Sequence, residues 1–126
     1  MTQNDPPDLR VRTKQFALRI ILLYSALPNT NVAQVLGKQL LRSGTSVGAH
    51  YREGSRARST AEFISKLEGG LQELEETAYW LELQMEGEVV LADKLRSLQQ
   101  ETNELTAIFV TCVKKAKSEF GRRDEG

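Results

Sequence analysis

The chain has 126 residues, 40% hydrophobic and 27% charged, which fits one globular domain and excludes wholesale disorder. One Cys and one His exclude an internal disulfide framework and any Cys- or His-rich metal centre. The formal net charge is zero, and no run of about 18 apolar residues exists to cross a membrane.

Residues 1–8 are polar, carry two prolines and lack a signal-peptide core, so a flexible segment and a cytoplasmic location are expected. The first helix is predicted from Leu9 to about Leu27, with Phe16, Ile20, Leu23 or Tyr24, and Leu27 at helical spacing. Pro28-Asn29 breaks it. The second follows Asn31 as N-cap and runs to about Ser55. The third opens at Ser59, where Glu62 three residues on completes a capping box, and ends near Gly87. Its apolar stripe is Phe63, Leu67, Gly70 or Leu71, Leu74, Ala78, Leu81 and Met85.

The fourth helix is predicted from about Leu91 to near Glu119, ahead of Gly121. Leu91, Leu95, Leu98, Thr102, Leu105, Phe109, Cys112 and Ala116 alternate steps of four and three, a heptad seam. Residues 120–126 are expected to form a flexible tail. Short connections force neighbouring helices to run antiparallel, so 9–119 is predicted to be an all-α, up-down-up-down four-helix bundle.

Neutral total charge conceals segregation. Residues 1–58 hold nine basic groups against three acidic, and residues 59–113 hold eleven acidic against three basic. On a wheel at about 100° per residue, Lys38, Arg42, Arg52 and Arg56 share one arc of the second helix, with Arg58 just beyond. Leu36, Leu40, Ser43, Val47, Tyr51 and Gly54 form its core face. The arc carries two readings, a polyanion site or a face that meets acidic surface within the fold or on another subunit. Arg10, Arg12, Lys14 and Arg19 of the first helix would extend it.

A third stripe of the second helix carries Gly37, Gly44 and Gly48. Mid-helix glycine costs about 1 kcal/mol against alanine, so a compensating close approach is expected, from a neighbouring helix or a second subunit. The alternative is a bend or break between Gly44 and Gly48.

Catalytic chemistry is thinly supplied. His50 has only Glu53 near it, and Cys112 occupies a seam position suited to a small buried hydrophobe. The carboxylates of the third helix lack the Glu-x-x-His pairs of a bundle metal site. No enzyme, metal or cofactor is expected.

Residues 39–54 (QLLRSGTSVGAHYREG), 61–68 (AEFISKLE) and 73–83 (ELEETAYWLEL) resemble the second and third helices of the four-helix-bundle proteins encoded by intervening sequences in 23S ribosomal RNA genes. That family includes accessory variability proteins of diversity-generating retroelements. The resemblance implies a left-handed bundle assembled into a ring, a homopentamer, with a nucleic-acid or reverse-transcriptase partner for the retroelement branch. It marks Arg42, Ser43, Ser46 and Glu53 on the second helix, and Glu62, Phe63, Glu76 and Leu81 on the third, as determinants of fold and assembly. The chain departs from the pattern at His50, where the family usually has Asn, and at Gly69-Gly70, where larger residues are usual. The expectation is therefore a non-enzymatic ring-forming bundle that contacts RNA or DNA through Lys38, Arg42, Arg52, Arg56 and Arg58. The alternative is a scaffold whose basic half meets the acidic third helix of a neighbour.

Overall fold

Four helices span most of residues 8–125, the residues that the computed structural model describes: α1 (Leu9–Ser25), α2 (Asn31–Ser55), α3 (Thr60–Glu86) and α4 (Ala92–Glu125). No strand occurs among them. The segment expected to be flexible at the N-terminus lies, apart from Asp8, outside the described residues.

Each of the first three helices starts at a short oxygen-bearing side chain that takes up backbone N–H groups with no intrahelical acceptor. Asp8 accepts from Arg10 N–H at 3.1 Å and Val11 N–H at 3.3 Å. Thr30, in place of the expected Asn31, caps α2 and accepts from Ala33 N–H at 3.2 Å. Thr30 holds the extended backbone that a cap requires, and Asn31 is already helical. At α3, Ser59 accepts from Glu62 N–H at 3.1 Å, while the Glu62 carboxylate accepts from Arg58 N–H at 3.2 Å. The return arm of the capping box thus reaches one residue behind the cap.

Two helix ends differ from expectation. α1 stops at Ser25, with Ala26 and Leu27 N–H bonded back to Leu23 and Tyr24 carbonyls. α4 continues through Gly121 to Glu125, past the end expected near Glu119. A single glycine weakens a helix by only about 1 kcal/mol, and no proline follows it. The α3–α4 connection turns at Glu88, whose φ of 56° is left-handed although Gly87 stands beside it.

The predicted stripes converge on one core. Phe16, Ile20, Leu40, Val47, Leu67, Leu74, Leu81, Leu95, Leu105 and Phe109 are buried in it. The α4 seam begins one step later than expected: Leu91 precedes the helix and is 73% exposed, and Leu95 is the first buried member. On α3, Thr77 and Gln84 are fully buried, whereas Ala78 and Met85 are half-buried. Buried hydroxyls find partners within and between helices, Thr102 donating to Leu98 O of its own helix at 2.8 Å, and Thr77 donating to Ser43 Oγ at 2.9 Å between α3 and α2.

Contacts between helices run in opposite order along α1 and α2 and along α2 and α3. Gly48 meets Thr13, Gly44 meets Ile20 and Gly37 meets Tyr24 and Leu27, and across the next pair Gly54 meets Phe63 while His50 meets Gly69. α2 is unbroken from Asn31 to Ser55, so the expected alternative of a break at Gly44–Gly48 is not what the chain does.

Candidate nucleic-acid interface

The glycine stripe decides how α1 and α2 approach. A Cβ at Gly44 would lie 2.8 Å from Ile20 Cγ1, one at Gly48 would lie 3.1 Å from Thr13 Oγ1, and one at Gly37 would strike Leu27. Side chains of α1 therefore rest directly on the α2 backbone, and the close approach anticipated from Gly37, Gly44 and Gly48 is made within the chain. That packing draws the polar borders of the two helices into one groove.

Arg52 lies there with Arg10 and Lys14 of α1, lining a depression of about 460 Å³ whose apolar wall includes Val11 and Leu18. An adjoining depression of about 330 Å³ shares Lys14 and Arg52 and is floored by Ala17, Thr45, Gly48 and Ala49. Among the described residues, no carboxylate pairs with Arg10, Lys14 or Arg52.

The remaining predicted cations diverge. Arg42 turns toward α3, its guanidinium 3.4 Å from Glu73 and 3.2 Å from Glu76. These contacts raise the Arg42 pKa, and the hydrogen bonds to Glu73 and Arg42 lower that of Glu76. Glu73 goes up instead, because its partial burial disfavours the carboxylate. Arg42 thus leaves the predicted arc as an interhelical ion pair. Its wheel position at the edge of the arc left it within reach of α3. Lys38 is exposed on α2, and Arg56 is exposed at its C-cap. Arg58 is exposed on the α2–α3 connection, where it lines a cavity of about 420 Å³ with Phe63, Ala116 and Glu119.

Two of the first-helix extensions are also engaged elsewhere. Arg12 makes a two-pronged contact with Glu101 at 2.7 and 2.8 Å and reaches Glu104 at 3.1 Å, and Arg19 donates to Ser97 Oγ at 2.8 Å. Arg10 and Lys14 remain, which the helix wheel of α2 alone had no means to single out.

No catalytic constellation forms around His50. Its ring rests against Gly69, where a Cβ would come within 2.8 Å of Nδ1, and that nitrogen is buried without a hydrogen-bond partner. Glu53 is held by Lys66 at 2.9 Å, an ion pair that lowers its pKa. His50 and Gly69 are therefore in contact: a ring at position 50 occupies space that the glycine at 69 leaves open. The Cys112 thiol is half-buried, and burial pushes its pKa up. No group of three or more His, Cys, Asp or Glu side chains among the described residues could hold a metal ion, and no described helix is long and apolar enough to cross a membrane.

The family model described as 23S rRNA-intervening sequence protein matches residues 8–111. Among solved structures, a protein of unknown function from the S23 ribosomal protein family of Bacteroides thetaiotaomicron is similar. Its identity is 39% and its TM-score 0.79, and the match covers 84% of this chain and 98% of that one. Comparison with curated proteins finds no match. A family match across all four helices, joined to a structural likeness of this extent, means that the chain belongs to the 23S rRNA-intervening sequence protein family.

Proposed function

We propose that the chain is a non-enzymatic, left-handed up-down-up-down bundle that assembles into a ring and contacts RNA or DNA through a basic face. The observation that carries this reading is the partition of the cations. Arg12, Arg42, Lys66, Arg96 and Lys117 are engaged with carboxylates inside the chain, while Arg10, Lys14, Lys38, Arg52, Arg56 and Arg58, like Lys94, Lys114 and Lys115 on α4, have no such partner among the described residues. Cations that carry no structural pairing and lie on two adjoining helices suit the neutralisation of phosphates with release of counterions. Repetition around a ring, a pentamer by the family resemblance, would multiply weak contacts through effective concentration. A reverse transcriptase enters as a partner only through the likeness to the retroelement branch.

Fluorescence anisotropy of a structured RNA, titrated with the full chain at several salt concentrations, tests the reading. Binding that weakens steeply with salt, and that Lys14→Glu with Arg52→Glu and Arg56→Glu removes without loss of helicity, is expected. No binding at low salt, or affinity indifferent to salt, contradicts it.

A second reading, self-assembly without a nucleic-acid role, is favoured by one feature. The outer side of α1 exposes Val11, Leu18 and Leu22, with Leu22 71% accessible, so α1 is apolar on both sides. Light scattering across a salt series, beside RNA titration, separates the readings: a ring that persists as salt rises, with no affinity for RNA, belongs to the second.

A further inference from the structure

We infer that the α1–α2 groove recognises the sugar–phosphate backbone of double-stranded nucleic acid and not the bases of a single strand; this rests on the nucleic-acid reading above. Three features carry it. First, the cations face one another across the groove. Arg10 and Lys14 stand one helical turn apart, about 6 Å along α1. Arg52 lies opposite them, and Lys14 and Arg52 border both depressions.

Second, the groove has no aromatic ring to stack on a base. Its lining is aliphatic, small, hydroxyl-bearing or cationic, with the single amide of Gln15. The chain's eight aromatic residues are all outside that lining. Phe16 and Phe109 are buried in the core, with Tyr51 packed against Phe109 at 6.2 Å. Tyr79 and Trp80 contact each other on α3 at 5.2 Å, among the carboxylates of that helix. Single-strand binding draws much of its affinity from base–aromatic stacking, about 1–3 kcal/mol per base, and this groove offers none.

Third, the floor cannot read base edges. The two hydroxyls beside it are spent within their own helices, Thr13 donating to Leu9 O and Thr45 donating to Leu41 O at 2.7 Å. Gly48, Ala17 and Ala49 present no polar side-chain atom. Apart from the exposed amide of Gln15, affinity is left to the cations, and a duplex carries one phosphate per about 1.7 Å of axis, more than a single strand.

The test compares a DNA duplex, an RNA duplex of the same length, a duplex of scrambled sequence and one isolated strand, each titrated with the full chain. Both duplexes should bind several-fold more tightly than the strand and independently of sequence. With three phosphates neutralised, affinity should fall roughly 40-fold between about 50 and 200 mM salt. Lys14→Ala with Arg52→Ala should reduce the slope of log affinity against log salt by about two, with circular dichroism unchanged. Single-strand binding as tight as duplex binding overturns the inference and leaves the nucleic-acid reading standing. Duplex binding that the double variant does not alter removes the groove as its site. Absence of binding to all four probes defeats both.

Discussion

The Arg12–Glu101 contact joins α1 to α4 through two hydrogen bonds, with both side chains less than a third exposed. Hydrogen bonding to Arg12 lowers the Glu101 pKa below the ordinary carboxylate value. A carboxylate depressed in the folded state contributes stability that is present above its unfolded pKa and lost as pH falls through the folded one. Glu101→Gln should therefore cost about 1.5 kcal/mol at neutral pH. That cost should shrink as pH falls below the ordinary glutamate range, a trend that urea denaturation at two pH values measures. His50 and Gly69 provide a second test at this scale. Gly69→Ala should clash with the imidazole and destabilise by about 1–3 kcal/mol, since the ring and its surroundings are packed. In a His50→Asn background the same change should be neutral or stabilising, because the shorter side chain vacates the space and alanine is the better helix former. Equal effects in the two backgrounds would dissociate the residues.

Glycine has opposite meanings in different elements. At Gly44 the buried Ile20 side chain occupies the place of a Cβ, whereas at Gly121 nothing lies within 4 Å of one. Gly44→Ala is expected to lower stability by roughly 1–3 kcal/mol despite its higher helix propensity. Gly121→Ala should raise helicity near the end of α4 and stabilise by up to about 1 kcal/mol. Thermal unfolding followed by circular dichroism reads both. Helix type and core stripe were legible from spacing, because four long periodic segments leave little else for the apolar residues to do. Boundaries were less so. Thr30 and Asn31 are both competent caps, and only the backbone conformation distinguishes them. The purpose of the α2 glycines was half legible: the stripe announced a close approach, but which surface approaches depends on tertiary packing that one helix does not contain.

Across the molecule, neutral charge resolves into a distribution. Arg10 and Lys14 near the start of α1 lie with Arg52 near the end of α2, and Arg58 at the α2–α3 connection shares a cavity with Glu119 of α4. Carboxylates dominate α3, where Glu73 and Glu76 absorb Arg42. A wheel of α2 sees only one helix, so it grouped Arg42 with Arg52 and could not tell which of Arg10, Arg12, Lys14 and Arg19 on α1 would join them. The fold divides that arc, assigning one cation to structure and joining another to Arg10 and Lys14. On the proposed reading this rebuilt basic groove, and not the paired Arg42, meets phosphate. The most direct measurement compares duplex affinity at low salt for the native chain, Lys14→Glu with Arg52→Glu, and Arg42→Gln. Loss of binding in the groove variant with retention in Arg42→Gln is predicted; the reverse pattern, or equal affinity in all three, would contradict it.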